Sequence, residues 1–371
     1  MGSEMCIRDR SPDRGISIED VALKGMKADE VRVSIAAAGV CHSDLHIVNG
    51  DWEGIAAPLV LGHEGSGVVT AVGADVADLA VGDHVVLSWI APCGQCRACR
   101  AGKPVQCLLH AEMVSAGGVL QDGTSRLSSE DAPLFHYSGV SSFAEEAIVP
   151  ASGAIKVDKN APLDVISLVG CGVATGVGAV LNTAQVVAGS SVLVIGCGGV
   201  GLSVVQGARL AGATTIIAVD LQPTKLEIAR TVGATHTIDA SAENTLDALR
   251  QVLPDGVDYA FDAIGGSITA GQCIDALAVG GTAVMVGIPR QGTKATFEPQ
   301  QLVDFDRRIL GANYGGIVPA VDIPRLVDWY MEGKLLLDEM ISARRPLEDA
   351  AAAIEDLSGG SPLRQLLVPS L

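Results

Sequence analysis

Two features are scarce in this sequence of 371 residues: aromatic side chains, at 3%, and positive charge. Because 48% of the residues are hydrophobic and 44 are glycine, the core must consist largely of small aliphatic side chains joined by tight turns. The formal net charge of −18 argues against binding to phosphate backbones or anionic lipid. We therefore expect neither nucleic acid nor a membrane surface as a partner.

The sequence also lacks an uninterrupted apolar run of membrane-spanning length. Residues 165–208 carry no charged side chain, but repeated glycines and the polar residues Asn182, Thr183 and Gln185 interrupt them. A spanning helix needs about 20 consecutive, mostly apolar residues. We interpret this stretch as buried core, so the predicted protein has no membrane segment.

The first ten residues, MGSEMCIRDR, lack the apolar region of a signal peptide and do not resemble a first β-strand. We treat residues 1–10 as suspect and expect little structure there. The nine cysteines are odd in number and clustered. Without a signal peptide, this pattern indicates metal-bound thiolates in a reducing cytoplasm, not a disulfide framework.

The pattern of short apolar runs divides the chain into parts. Residues 16–90 contain β-like runs punctuated by glycine, and the polar residues 111–140 are typical of a long surface excursion. From Ser190 strands and helices alternate, which predicts a parallel sheet with helices on both faces. Near Gly315 the alternation stops, and two helices (323–333 and 346–358) and a final strand are predicted.

Four cysteines occur within 15 residues, in the pattern C-x2-C-x2-C-x7-C, which we call the cysteine loop (residues 93–107). Four thiolates so close in sequence can surround Zn²⁺ without help from the rest of the fold, as in structural zinc sites. Free or disulfide-bonded cysteines and an iron–sulfur cluster are the alternatives, although the spacing differs from ferredoxin runs. The predicted ligands of this structural zinc are Cys93, Cys96, Cys99 and Cys107.

A second metal site is indicated by residues that are far apart in the sequence. Cys41 lies in GVCHSDLH, His63 in LGHEGSG and Cys171 in LVGCGVATG. Two thiolates and one imidazole form the ligand set of a catalytic zinc whose fourth position is open to water or substrate. Taken singly, each residue is more simply explained as part of the core, so only their combination favours a metal.

A glycine fingerprint follows the predicted strand SVLVI. Gly196, Gly198 and Gly201 form G-x-G-x-x-G at the start of a predicted helix, and Asp220 ends the next strand. This context predicts a dinucleotide site, with the pyrophosphate at the helix N-terminus. A carboxylate at Asp220 would bind the ribose hydroxyls and repel a 2′-phosphate, which favours NAD over NADP. The alternative is a glycine-rich turn without a ligand.

These motifs together resemble those of the zinc-containing medium-chain alcohol dehydrogenase family, from about residue 16 to the C-terminus. The resemblance implies that Cys41, His63 and Cys171 bind the catalytic zinc, and that Glu64 can approach the metal. Asp44 matches the carboxylate that orients the ligand histidine. Ser43 and His46 match a proton relay, and His42 matches a residue that contacts the cofactor pyrophosphate.

The resemblance also implies further cofactor contacts, some of which would otherwise be assigned to core or solvated surface. Trp89 matches a bulky position in the substrate channel. The remaining residues expected near NAD are Thr175, Gly199, Val200, Lys225, Ile264, Val286, Ile288 and Arg364.

The fold implied by the resemblance is α/β, with a Rossmann doubly wound parallel sheet inserted in a GroES-like, β-rich catalytic domain. We expect residues 1–172 to form the catalytic domain with both zinc sites, residues 173–314 the Rossmann domain, and residues 315–371 the return to the catalytic domain. The active site is expected in the interdomain cleft. Because the excursion at 111–140 is typical of the longer family members, we expect a homodimer.

The implied function is reversible oxidation of primary or secondary, aliphatic or aromatic alcohols to aldehydes or ketones, with hydride transfer to NAD⁺. The alternative is a thiol-dependent formaldehyde dehydrogenase acting on an S-hydroxymethyl thiol, ranked second because no clamp for an anionic thiol is recognisable. A more distant alternative is a non-catalytic zinc protein with a structural or redox-sensing role.

Overall fold

The computed structural model describes residues 2–8, 15–129, 134–360 and 363–371. The chain divides into two compact units, each of which is described separately. The β-rich unit contains Met1–Cys171, Val318–Gly333 and Ile341–Leu371. The parallel-sheet unit contains Gly172–Ile317 and Lys334–Met340.

Most of the β-rich unit comes from the N-terminal part of the chain. Its strands there are β1 (Gly2–Arg8), β2 (Ile16–Leu23), β3 (Glu30–Val40), β4 (Leu59–Val60), β5 (Gly65–Val72), β6 (His84–Leu87), β7 (Leu127–Ser128), β8 (Phe135–His136), β9 (Glu146–Pro150) and β10 (Ala154–Lys156). Its helices there are α1 (His42–Asn49), α2 (Arg97–Arg100) and α3 (Leu163–Ile166).

The expectation of little structure in residues 1–10 is wrong for Gly2–Arg8. This segment is β1, which pairs antiparallel with β2 over its full length and with β4 at its end. Met5 and Ile7 pack into one apolar cluster and Cys6 into another, so the strand is buried on both faces from Met5 to Ile7, although Glu4 is exposed. A strand covered on both faces needs no alternation of polar and apolar residues, which explains why the pattern was not recognised. Residues 1, 9 and 10 lie outside the described residues.

The excursion predicted at 111–140 is only partly a surface loop. Val114, Leu120 and Leu127 are buried. Arg126 is 2% exposed, and its guanidinium donates to Glu30 Oε2 at 2.8 Å. An arginine that is buried and paired in this way fixes the loop against β3. Residues 130–133 lie outside the described residues.

The parallel-sheet unit begins with α4 (Gly172–Gly178), which is followed by strand–helix alternation. Its strands are β11 (Ser191–Ile195), β12 (Thr215–Asp220), β13 (His236–Asp239), β14 (Val257–Asp262), β15 (Leu277–Met285) and β16 (Arg308–Gly311). Its other helices are α5 (Gly199–Leu210), α6 (Pro223–Val232), α7 (Thr245–Val252), α8 (Ser267–Asp275) and α9 (Pro299–Asp304).

The six strands of this unit pair in parallel in the order β13-β12-β11-β14-β15-β16. This is the order of a doubly wound dinucleotide-binding sheet, in which the strand order reverses beside the first strand. Val192, Leu193 and Val194 of β11 are completely buried, as a central strand covered on both faces requires. The predicted doubly wound parallel sheet is confirmed.

The C-terminal part of the chain completes the β-rich unit with α10 (Pro319–Met331), β17 (Ile341–Arg345), α11 (Ala350–Ser358) and β18 (Arg364–Leu367). Helix α10 begins earlier than predicted, because Pro319 is pre-set for the first helical turn and lacks the N–H that this position leaves unpaired. Strand β18 pairs with β3, which places Arg364 beside the end of β3.

Two sheets organise the β-rich unit. One has the order β7-β2-β1-β4-β8, and the other has the order β10-β6-β5-β3-β18-β17, with β9 also paired to β3. Strand β3 is therefore the central strand of the second sheet, and it leads directly into Cys41 and α1.

Across the described residues, no single helix has the length and hydropathy needed to cross a bilayer. Two consecutive helical segments, Leu163–Gly170 and Gly172–Ala184, meet these criteria only when taken together across a sharp bend. Both lie in the stretch predicted to be buried core, and their apolar residues Val165, Ile166 and Val173 are buried.

Candidate active site and cysteine loop

Cys41 is positioned by the transition from β3 to α1. It is the N-cap residue of α1, in an extended conformation, and its backbone N–H donates to Asp44 Oδ2 at 3.0 Å. The backbone N–H of Asp44 donates in turn to the Cys41 carbonyl at 3.0 Å. The same capping arrangement that starts the helix therefore fixes the backbone on both sides of the thiol.

His63 is held by the second oxygen of the same carboxylate. His63 Nδ1 lies 3.2 Å from Asp44 Oδ1, and both side chains are buried. Because an ionised carboxylate only accepts, Nδ1 carries a proton, and in the neutral imidazole Nε2 then keeps its lone pair. His63 Nε2 is buried and has no hydrogen-bond partner within the described part of the chain. A buried lone pair without a partner is suited to a metal ion.

Cys171 and Glu64 complete a set that we call the dispersed cluster (Cys41, His63, Glu64 and Cys171). One potential ligand atom from each residue lies within 4.8 Å of those of the others. Two sulfurs, an imidazole nitrogen and a carboxylate oxygen are donors that Zn²⁺ accepts, and His63 Nε2 has no other partner among the described residues. The residues present therefore fit a zinc ion.

Electrostatic interactions within the dispersed cluster distinguish its two thiols. A hydrogen bond from the Cys171 thiol, reinforced by His63, lowers the pKa of Cys41 well below its usual value. The same interaction raises the pKa of Cys171, so the two sulfurs favour one shared proton over two negative charges. A dication in the cluster would allow both sulfurs to be thiolates.

Glu64 is paired with Arg364, the residue predicted to contact the cofactor pyrophosphate. The Arg364 guanidinium donates a short hydrogen bond to Glu64 Oε2, and both side chains are buried. Burial raises the pKa of Glu64 to about 7, although the arginine opposes this shift. The cofactor contact of Arg364 stays a prediction, since its observed partner is Glu64.

The predicted relay residues lie on α1. Ser43 and His46 are three residues apart, which places them on the same side of the helix. The backbone carbonyl of Ser43 accepts a hydrogen bond from the Tyr137 hydroxyl at 3.2 Å. His46 Nδ1 lies 2.8 Å from Asp51 Oδ2. His42 is exposed in the first turn of the same helix.

The cysteine loop brings its four sulfur atoms within 4.8 Å of one another. None of the nine cysteines is in a disulfide bond, so all four sulfurs of the loop are available to a metal. Backbone N–H groups converge on the sulfurs: Cys96 donates to Cys93 Sγ at 3.4 Å, and Cys93 donates to Cys107 Sγ at 3.4 Å. Backbone N–H groups lower the pKa of Cys96 to about 6. Donors of this kind stabilise metal-bound thiolates, so the loop also fits zinc.

The glycine fingerprint has the geometry of a dinucleotide loop. Gly196 has a φ of +97°, and Gly198 is the N-cap residue of α5. A Cβ atom at Gly201 would lie 1.7 Å from the Gly196 carbonyl oxygen, so only glycine allows the helix to pack this closely against the strand. Asp220 Oδ2 accepts from the Cys197 N–H at 2.7 Å, which fixes the carboxylate beside the loop. Gly199 and Val200 form the first turn of α5.

The other predicted cofactor residues differ in exposure. Ile264 and Ile288 are 53% and 51% exposed, which is unusual for isoleucine and leaves apolar surface free to contact a ring. Val286 and Thr175 are buried, and Lys225 is half-buried on α6. Their contacts with NAD stay predictions.

Trp89, predicted to lie in the substrate channel, is half-buried and packs against an apolar cluster of the β-rich unit. A core position explains it equally well, so its contact with substrate stays a prediction.

The sequence reasoning missed several residues that shape these sites. The Tyr137 ring packs edge-on against His63, with the ring centroids 5.1 Å apart. Asp262, at the end of β14, accepts from the N–H groups of Ile264 and Gly265 at 3.0 Å each and so shapes the turn that exposes Ile264. Asp51 follows α1 in the tripeptide G-D-W, which was a readable signal for the end of a helix.

Comparison with known families defines the class of protein to which these sites belong. Residues 27–159 match the alcohol dehydrogenase GroES-like domain, and residues 199–332 match the zinc-binding dehydrogenase domain. The first match covers most of the β-rich unit, and the second begins within the glycine fingerprint. The fold and the two ligand sets are thus those of a zinc-binding dehydrogenase.

Individual relatives cover almost the whole chain. The probable S-(hydroxymethyl)glutathione dehydrogenase 1 of Schizosaccharomyces pombe is 40% identical, over 94% of this chain and 92% of the relative. The crystal structure of an alcohol dehydrogenase zinc-binding domain protein from Burkholderia ambifaria is 39% identical, with a TM-score of 0.93 and 99% coverage of both chains. That of benzyl alcohol dehydrogenase from Acinetobacter calcoaceticus is 32% identical, with the same TM-score and coverage.

The chain belongs to the zinc-containing medium-chain alcohol dehydrogenase family. The predicted resemblance is therefore confirmed. The family and the ligand sets assign two zinc ions to the chain, and the doubly wound sheet with its fingerprint assigns NAD.

Proposed function

We propose that this protein oxidises the hydroxyl group of a small substrate to a carbonyl, reversibly, with NAD as the hydride acceptor. The observation that carries the proposal is the dispersed cluster, whose four potential ligand atoms lie within 4.8 Å of one another and in which His63 Nε2 has no hydrogen-bond partner among the described residues. When bound, zinc supplies Lewis-acid activation of the substrate hydroxyl, and NAD supplies the acceptor for the hydride.

The side chains of the β-rich unit then have distinct tasks. Asp44 holds His63 by Nδ1 and so keeps Nε2 available for the metal. Ser43, two residues after Cys41, accepts the proton of the substrate hydroxyl while it gives up its own, and His46 accepts the released proton and passes it to water. Glu64 lies within the dispersed cluster, and Arg364 balances its charge.

Asp220 supports NAD over NADP. Its carboxylate is fixed at the end of β12 by the backbone N–H groups of Cys197 and Gln222, at 2.7 and 3.0 Å. A fixed negative charge there would bind ribose hydroxyls and repel a 2′-phosphate. Asp220→Ser should narrow the preference for NAD when kcat/KM is measured with both cofactors, and an unchanged ratio would contradict this role.

For the particular substrate, we propose S-(hydroxymethyl)glutathione, the adduct of formaldehyde and glutathione. The support is the 40% identity, over almost the full length, to a relative named for this activity. The sequence reasoning ranked this substrate second, because it recognised no clamp for an anionic thiol. We rank it first because of that identity.

A simple alcohol such as benzyl alcohol is the second candidate. It is favoured by the structural similarity to benzyl alcohol dehydrogenase.

A single assay distinguishes these substrates. NADH formation is followed by absorbance with formaldehyde plus glutathione, formaldehyde plus mycothiol, formaldehyde alone, benzyl alcohol and ethanol. We expect the highest kcat/KM with formaldehyde plus glutathione. A higher value for benzyl alcohol, or no requirement for a thiol, would favour the second candidate. No turnover by zinc-replete protein with any substrate would leave the non-catalytic alternative.

Two further expectations belong to the proposal. We expect the protein to act as a homodimer in the cytoplasm, as the resemblance implies. Sedimentation equilibrium tests the oligomeric state, and a monomer or a tetramer would contradict the expected homodimer.

A further inference from the structure

The end of helix α1 brings an acidic residue back over the helix. Gly50 follows the helix with a φ of +70°, in the left-handed region that favours glycine. The Asp51 N–H donates to the His46 carbonyl at 2.9 Å, and the Gly50 N–H donates to the Ile47 carbonyl at 3.2 Å. This pair of bonds is a Schellman-type helix end, which reverses the chain direction within two residues.

The reversal places the Asp51 carboxylate within hydrogen-bonding distance of the His46 ring. Asp51 Oδ2 lies 2.8 Å from His46 Nδ1, and the two side chains are 17% and 24% exposed. The next residue, Trp52, packs at a tilt against the same imidazole, with the ring centroids 5.0 Å apart and an angle of 32° between the planes. A hydrogen bond at one ring atom and an indole packed against the ring restrict both rotation and flipping of the imidazole.

The contact also selects a tautomer. An ionised carboxylate is only an acceptor, so His46 Nδ1 must be the donor and carry the proton. In a neutral imidazole the other nitrogen then has a free lone pair. A carboxylate that holds the distant nitrogen of a histidine is a general way of preparing the near nitrogen as a base.

We propose that Asp51 is a positioning residue for His46, which it holds with Nδ1 protonated and Nε2 ready to accept a proton. The inference rests on the proposed function, in which His46 passes the substrate proton to water. Asp51 itself touches neither substrate nor metal in this role. Gly50 is the residue that makes the contact possible, and Trp52 limits the remaining motion of the ring.

The tautomer can be measured without any turnover. In the full-length protein with ¹⁵N-labelled histidine, long-range ¹H–¹⁵N correlation spectra distinguish protonated from unprotonated ring nitrogens, and His46→Gln identifies the signals of His46. We expect the neutral His46 of the wild type to be protonated at Nδ1, and Asp51→Asn to shift it towards Nε2. A wild-type ring protonated at Nε2, or signals unchanged in Asp51→Asn, would overturn the inference.

Kinetics test whether the positioning matters for the reaction. We expect Asp51→Asn to lower kcat about tenfold with little change in KM, and added imidazole to restore part of the loss, as a relay defect requires. Glu53→Gln is the matched control, since it removes an exposed acid two residues away and should leave kcat unchanged. Retained zinc content and thermal stability establish that Asp51→Asn is folded.

The outcomes separate the inference from the function on which it rests. If the wild type oxidises its substrate and His46→Gln is slow, but Asp51→Asn matches the wild type, the positioning role is wrong and the function stands. If the wild type oxidises none of the substrates tested, the proposed function fails, and the NMR spectra still decide whether Asp51 sets the tautomer.

Discussion

The cysteine loop and the dispersed cluster each bring four potential metal ligands together, but they draw them from very different parts of the sequence. The loop draws four sulfurs from 15 consecutive residues, and three of its cysteines are half-exposed. The dispersed cluster draws its atoms from three distant segments, and all four of its residues are buried or nearly so. Local sequence is sufficient to bring the first set together, whereas the second requires the β-rich unit to be folded.

The two sites also differ in what surrounds the potential ligands. In the loop, backbone N–H groups converge on the sulfurs, as at Cys93 and Cys107. In the dispersed cluster, side chains contact the potential ligands instead: Asp44 is hydrogen-bonded to His63, and Arg364 is hydrogen-bonded to Glu64. Backbone donors come with the loop itself, but side-chain partners can each be removed by mutation. The two sites should therefore respond differently to substitutions.

The largest expected effect is that of Cys41→Ala. Losing one of the ligands should remove the zinc of the dispersed cluster and lower kcat/KM by about a thousandfold or more, since metal activation is worth several kcal/mol. The loop zinc should remain, so elemental analysis should give one zinc per chain. Cys273→Ala, at a buried cysteine outside both sites, is the matched control and should retain both ions. Near-normal turnover in Cys41→Ala would refute the ligand assignment.

Cys96→Ala tests the other site and should affect stability more than chemistry. Because the loop depends on its metal for its shape, we expect loss of one zinc and destabilisation by about 3 kcal/mol or more. Urea unfolding measures the change, and activity assayed well below the unfolding midpoint should persist. A variant as stable as the wild type would mean that the loop carries no structural metal.

Asp44→Ala should weaken the dispersed cluster alone. Loss of the carboxylate frees the His63 ring and is expected to lower zinc affinity there by about 10- to 100-fold, as for other residues that orient metal ligands. Competition with a chelator measures both affinities in one titration. Equal weakening of the loop site would indicate general unfolding and would contradict a specific role for Asp44.

The smallest effect concerns two buried histidines, one near each site. Burial lowers the pKa of His110, which follows the cysteine loop, to about 4, and that of His136, next to Tyr137, to about 3, from a usual value of 6.5. Because their folded-state pKa values are depressed, their stabilising contribution is present above pH 6.5 and is lost as the pH falls towards those values.

When the pH is lowered from 7 to 5, each histidine should therefore lower the free energy of unfolding by about 2 kcal/mol. His110→Gln and His136→Gln should each flatten the pH dependence of urea unfolding, measured with zinc in excess. The two slopes should be equal above pH 5, although the histidines lie in different regions. A variant that keeps the wild-type slope would show that its histidine is protonated in the folded state.

The same contrast explains what the sequence could and could not reveal. The cysteine loop and the glycine fingerprint were readable because their spacing is local, and the doubly wound sheet followed from the strand–helix alternation. Strand β1 was missed because a strand buried on both faces, with Met5, Cys6 and Ile7 in succession, has no alternating pattern.

Contacts between distant residues could not be read in this way. The packing of Tyr137 against His63, and the pairing of Arg364 with Glu64 across 300 positions, depend on how β3, β8 and β18 are arranged. Asp51 is a different case, because the G-D-W signal for a helix end was present and only its consequence for His46 required the structure.

The central claim is that both sites bind zinc, and diffraction at the zinc absorption edge from crystals of the full chain tests it most directly. We predict two anomalous peaks per chain. One should lie about 2.0–2.3 Å from Cys41 Sγ, His63 Nε2 and Cys171 Sγ, and the other should lie about 2.3 Å from the four sulfurs of the loop. A zinc-replete crystal with a peak only at the loop, or with a second peak away from these three atoms, would contradict the account.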